Sequence, residues 1–369
     1  MLEALLGRGV ALPCAFVIRP ESGHALRIGR GEPAFQVHVR TPAGRRALES
    51  LHELAIAEAY MRGDIDFEGD LIAAMSLRQV LSDKSRWIKT WRWLRPLLVG
   101  RERCNPEWIA KHYDAGNVQL LAADARYNTY TPGIYDGDAD SLEAGAERKL
   151  SAAADALRLK PGGSLLEVGC GWGGFLRFCA RRGAMATGIT LSKDQLVYAR
   201  ARLEEERLPA TVLYQDFFSF RPGHTFDGIS MMGVMEDLAD YRRVLERLAE
   251  LLRPGGRVYL DFAASVLPVS SFITQHIWPG TFRMVHMPEL VDCLSRSPFD
   301  IVELHNDRRN YELWALGMCR RWVERKAQVV AHSSEATWRM FHLLYAGGAD
   351  LMGSPARLAG AFRLVLERA

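Results

Sequence analysis

The chain has 369 residues, 48% hydrophobic and 25% charged, which is the composition of a globular protein with a substantial core rather than a disordered one. A formal net charge of +3 argues against wholesale nucleic-acid binding. The six cysteines form no C-x-x-C and no paired spacing with histidines, so they read as reduced thiols of an intracellular protein, with no metal site expected. The N-terminus lacks a signal-peptide pattern and no apolar run reaches spanning length, so a soluble or peripheral protein is expected.

Residues 1–83 read as a first unit. Segments 14–19 and 34–40 read as strands, the second with apolar and polar residues alternating. Residues 48–62 carry apolar side chains at helical spacing, and 63–70 read as a solvated polar turn. Four carboxylates in that turn raise the thought of calcium, but the EF-hand order of ligands is absent. Residues 84–110 read as a linker. Within it, 84–103 hold seven Lys/Arg, one Glu and three Trp, with Trp87, Trp91, Leu94 and Leu98 forming one helical stripe up to the break expected at Pro96. Such a stripe flanked by bases suits a helix lying on an anionic membrane surface. It suits equally an interdomain helix that packs its tryptophans inward.

From residue 146 strand and helix patterns alternate. Strands are expected at 164–168, 184–190, 211–215, 226–231 and 257–262, with helices at 176–182, 193–207 and 241–252 and a tight turn at 252–256. This is an α/β, doubly wound parallel sheet whose ligand crevice lies at the carboxyl ends of the strands. Residues 263–369 mix both patterns around Trp278, Phe282, Trp314, Trp322 and Trp338, which read either as a greasy cover over the crevice or as an ordinary core extension.

The first strand runs into Glu167-Val-Gly-Cys-Gly-Trp-Gly-Gly174, a glycine turn that opens a helix. Glycines let a backbone approach a small ligand, and the helix start offers unpaired N–H groups. Nicotinamide, flavin and S-adenosylmethionine (SAM) sites all use such turns. Three features favour SAM. Glu167 would face a cationic amino and sulfonium group and would repel a pyrophosphate. Gly173 and Trp172 disturb the dinucleotide spacing. The second strand does not end in the acid that holds an NAD ribose.

These segments together resemble the cyclopropane-fatty-acid synthase family, which includes the mycolic-acid methyltransferases. The likeness is carried by His112-Tyr-Asp-Ala-Gly-Asn117, Tyr127-Asn-Thr-Tyr-Thr131, Ser141 to Leu150, the Gly-Cys-Gly-Trp-Gly-Gly loop, Gly188 to Ser192 with Gln195, Gln215-Asp216, Gly233-Val-Met-Glu236 and Ile277-Trp-Pro-Gly280. Segments 58–64 and 67–70 resemble the family's N-terminal lipid-associated module. The resemblance implies a class I SAM-dependent methyltransferase over 111–369 and a smaller α+β lipid-associated unit over 1–83. It implies methylation of a double bond in an unsaturated phospholipid acyl chain, at the inner face of a membrane, and leaves a homodimer open.

By the same resemblance, Tyr130 and Thr131 lie beside the methionine end of SAM, and Gly169, Gly171 and Gly173 line its backbone, next to Glu167. Thr190 and Gln195 reach the ribose, Gln215 and Asp216 the adenine, and Phe217 the ring plane. The family's bicarbonate pocket of Cys, Glu, His and Tyr carries over poorly. Pro132 stands for the Cys, Glu236 is retained, Asp237 follows it where the family has His, the pocket His falls at Asp261, and Tyr311 is the matching Tyr. Extra carboxylates would repel bicarbonate, so Asp261 or Glu236 is expected to take the proton directly with Tyr311 orienting it. The product is then open between a cyclopropane and a methyl-branched chain. Two other classes stay open: a methyltransferase of a small natural product or carrier-bound acyl chain, and a lapsed lipid- or SAM-binding protein.

Overall fold

The computed structural model describes residues 12–79, 81, 117–238, 240–265, 269–278 and 283–369. The basic tryptophan segment 84–103, most of the His112 motif, and Pro279 and Gly280 lie outside the described residues.

The N-terminal unit is a four-stranded sheet, order β2-β1-β3-β4, built from β1 (Ala15–Arg19), β2 (Leu26–Ile28), β3 (Pro33–Val39) and β4 (Ile65–Gly69). Between β3 and β4 run helices α1 (Pro42–Ser50) and α2 (Glu53–Arg62), and α3 (Leu71–Ser76) follows. Two sequence expectations are corrected here. The segment read as a polar turn at 63–70 forms β4. Ile65 and Phe67 point inward, while Asp66 and Glu68 face Arg339 and His38, and these outward carboxylates obscured the period of two. The helix expected over 48–62 is two helices, because Leu51 turns left-handed at φ 53° while the Ser50 hydroxyl donates to Ala47 O and accepts from His52 N–H.

The larger unit is a seven-stranded sheet in the order β10-β11-β9-β8-β5-β6-β7. Its parallel part comprises β5 (Ser164–Val168), β6 (Met185–Thr190), β7 (Ala210–Tyr214), β8 (Phe226–Met232) and β9 (Leu252–Ala264). Each expected strand is present. β9 begins earlier than expected, since Leu252 already pairs with Phe226 before an irregularity in register. The C-terminal strands β10 (Phe299–Asn306) and β11 (Gly360–Arg368) extend the sheet with antiparallel pairings.

Helix α4 (Leu142–Ala156) precedes β5; α5 (Gly174–Arg181), α6 (Lys193–Glu205) and α7 (Tyr241–Leu251) are crossovers. Then come α8 (Met287–Leu294), α9 (Arg308–Glu324), α10 (Lys326–His332) and α11 (Glu335–Gly353). The N-terminal sheet shares a core with α9 and α11: Phe35, Tyr60 and Ala74 pack in one apolar cluster with Trp322, Phe341 and Tyr345. Trp322 and Trp338 are core residues that donate indole N–H groups to each other's carbonyls. No described helix is long and apolar enough to cross a membrane.

Candidate active site

The chain order reverses at β5, which lies between β8 and β6, so the crevice opens at the ends of these strands. Leaving β5, the backbone takes positive φ at Gly169 (67°), Gly171 (53°) and Gly173 (78°), the last capping α5. A Cβ at Gly171 would point into open space inside the cavity, which is the shape of a ligand cradle. The fourth glycine has a packing cause: a Cβ at Gly174 would come within 2.5 Å of Tyr127 O.

That contact belongs to the loop carrying Tyr130 and Thr131. Buried Asp124 ties it, accepting from Tyr127 N–H and Thr129 N–H, both at 2.6 Å, and from Arg126 N–H. Tyr130 then stands edge-on to Trp172 and Trp314 and shares a 3.1 Å hydrogen bond with the hydroxyl of Tyr345. Trp172 is fixed by donating to Asn117 Oδ1 at 2.6 Å.

One cavity of about 450 Å³ joins these parts. Tyr130, Thr131, Glu167, Gly169, Gly171, Thr190, Gln195, Gln215, Asp216, Phe217, Glu236 and Tyr311 all line it; Gly173 and Asp261 do not. Gly173 instead turns the chain into α5. Glu167 is buried and its Oε2 has no hydrogen-bond partner. Burial pushes its carboxyl up to about 8, against the opposing pull of Lys149. A carboxylate held this way, beside glycines bare of side chains, fits a cationic amino-acid moiety such as that of SAM. Thr190 donates to Gln195 Oε1 at 2.9 Å, a buried pair at the end of β6. Gln215 is held by Ser219, and Phe217 is buried beneath them.

The expected base site divides in two. Glu236 faces the cavity: Oε1 accepts from Ala263 N–H at 2.7 Å, and Oε2 has no hydrogen-bond partner. Burial raises its carboxyl to about 8, helped by the charges of Asp237 and Asp261. Tyr311 lines the same cavity, its hydroxyl pushed well up by burial and by Asp261 and Glu236. Asp261 sits behind this wall, ion-paired through Oδ2 to Lys149 Nζ at 3.0 Å, with both side chains almost fully buried. Lys149 also donates to Thr131 Oγ1. Asp261 thus holds a lysine that anchors the Tyr130–Thr131 loop.

Sequence reasoning missed Lys149 and Asp124 as site residues. Lys149 had a readable signal, since Leu142, Gly145, Ala146, Lys149, Leu150 and Ala153 form one buried helical stripe with a single charge in it. Asp237, also on the cavity wall, has its carboxyl raised to about 7 by burial. Of the aromatic anchors, Trp278 and Trp314 line the cavity, and Phe282 lies outside the described residues.

A family model described as mycolic acid cyclopropane synthetase matches residues 101–354. The chain is 26% identical over 359 residues to the Mycobacterium tuberculosis protein named "Probable fatty acid methyltransferase Rv3720", covering 86% of this chain and 84% of that one. It is 24% identical over 341 residues to the sphingolipid C9-methyltransferase of Candida albicans, covering 84% of this chain and 65% of that one. Among solved structures, mycolic acid cyclopropane synthase CmaA1 complexed with SAH and CTAB superposes with a TM-score of 0.66 at 20% identity, over 72% of this chain and 99% of that one. That likeness shares the class I methyltransferase fold.

Proposed function

Because the chain belongs to the mycolic acid cyclopropane synthetase family and is a SAM-dependent methyltransferase acting on lipids, we propose that it methylates a carbon–carbon double bond in an unsaturated acyl chain of a membrane phospholipid. The observation that carries this reading is the shared cavity. Residues fitted to SAM and apolar walls line one space, and the adjacent buried carboxyls of Glu236 and Asp237 lie on that lining.

An isolated alkene is a weak nucleophile, so the reaction needs a strong electrophile held in line in a dry site. SAM, when bound, supplies that electrophile as its sulfonium methyl. Trp172, Trp314, Tyr130 and Tyr345 exclude water from the reacting region, and their ring faces favour the positive charge that methyl transfer leaves on the acyl chain. Glu236 Oε2 then takes a proton from that chain. Its ionised form is disfavoured by burial, but a cation in the same cavity favours it. Tyr311 lies on the same wall to orient the exchange. Removal of the proton from the new methyl group closes a cyclopropane; removal from a neighbouring chain carbon leaves a methyl-branched chain that keeps a double bond.

In this proposal Asp261 is a positioning residue, acting through Lys149 on Thr131. Membrane attachment through residues 84–103, with their seven Lys/Arg and three Trp, belongs to the same proposal. The test is mass spectrometry of phosphatidylglycerol vesicles after incubation with the protein and methyl-labelled SAM. A gain of one labelled carbon on monounsaturated chains alone supports the reading. Labelling of head groups, or of no lipid, contradicts it.

A further inference from the structure

The active-site cavity does not stop at the catalytic unit. Its walls continue along the N-terminal sheet, where Phe16, Ile18, Ile28, Phe35, Val37 and Phe67 line it. The strand register explains this. Phe16 pairs with Phe35 and with Ile28, Ile18 with Val37, and Val37 with Phe67, so all six project from one face of the sheet. In an ordinary small α+β unit that face would be filled by its own helices to close-packed density. Here the face packs partly against Ala57, Tyr60 and Ala74, yet the cavity still reaches it and runs on to the glycine loop. Along this N-terminal wall, Glu53 and Arg78 are the charged residues among those described, and Arg78 is already engaged by Gly347 O and Asp350.

We propose that the N-terminal sheet is a hydrocarbon-binding site that receives the methyl-terminal segment of the acyl chain, so that its depth sets how far the reacting double bond may lie from the chain's end. The inference rests on the proposed alkene methylation. A head group would find few polar partners along this wall, whereas a saturated tail needs none. Continuity with the SAM end keeps the tail and the alkene in one channel, so filling or hollowing the sheet face changes which double bond reaches the methyl donor. Val37 is the residue to fill, because it pairs with both Ile18 and Phe67 at the middle of the lining face.

The experiment compares Val37→Phe and Phe67→Ala with the unmodified protein. The substrates are three phosphatidylglycerol vesicle preparations of equal chain length, with one cis double bond near the carboxyl end, the middle or the methyl end. Val37→Phe is expected to shift the ratio of kcat/KM toward the bond near the methyl end by roughly tenfold, since a pocket discriminates by about that factor per methylene or more. Phe67→Ala is expected to shift it the opposite way, which keeps the test informative if the larger side chain disturbs folding. Equal scaling of all three substrates in both variants, which leaves their ratios unchanged, overturns the proposal. If the unmodified protein methylates none of the three, the proposed function fails instead.

Discussion

The two ends of the cavity are built by different means. At the end proposed to hold SAM the frame is set by contiguous backbone, with three glycines at positive φ and the start of α5, and side chains such as Glu167 and Thr190 stand at the strand ends beside it. At the reacting end it is set by side chains from distant segments, with Glu236 after β8, Asp261 in β9, Lys149 in α4 and Tyr311 in α9. Backbone geometry tolerates few alternatives, so that end keeps its pattern. A proton acceptor can be rebuilt from other groups, and here Pro132, Asp237 and Asp261 stand where the family resemblance leads one to expect Cys and His.

Breaking the reacting end should give the largest effects. Glu236→Gln is expected to lower kcat by about 10²- to 10⁴-fold, the usual worth of a general base. SAM affinity measured by calorimetry should stay unchanged. In the unmodified enzyme at saturating SAM, kcat/KM for the lipid should climb with pH and level off above about 8, because the carboxyl raised to that value must be ionised to accept a proton. The variant's residual activity should lack that rise.

Next in size is the ion pair behind the wall. Lys149→Met leaves Asp261 buried and uncompensated, and denaturant unfolding should register a loss of roughly 3–5 kcal/mol. Adding Asp261→Leu should recover part of it. A full return of activity in that double variant would remove the positioning role given to the pair.

Smaller effects belong to the cofactor end. Gly171→Ala places a methyl in the cradle at φ 53°, and left-handed backbone costs about 1–2 kcal/mol for a residue with a Cβ. SAM affinity should fall by roughly tenfold. Smallest is a proton count. Glu167 is held protonated up to about 8 by burial, and a bound ammonium group favours its ionised form. SAM binding near pH 7 should therefore release up to about one proton, read from calorimetry in buffers of different ionisation enthalpy. Affinity should tighten as pH rises toward 8.

This contrast also marks what the sequence could show. Residues 165–174 carry strand, turn and helix start in one contiguous run, so this glycine turn was legible, as were the five parallel strands. The reacting end depends on contacts such as Lys149 with Asp261, 112 positions apart, which no local pattern encodes. Asp261 was therefore read, with Glu236, as a candidate base, although it lies off the cavity lining and pairs with Lys149. The strand at 65–69 was hidden by carboxylates whose partners, His38 and Arg339, lie on another strand and a distant helix.

The most direct test follows methyl-labelled SAM into monounsaturated phosphatidylglycerol in buffer stripped of bicarbonate. With the protein's own carboxylate as proton acceptor, one labelled carbon should be added at the double bond at full rate, and added bicarbonate should change nothing. No incorporation, or a rate restored only by bicarbonate, would contradict the account.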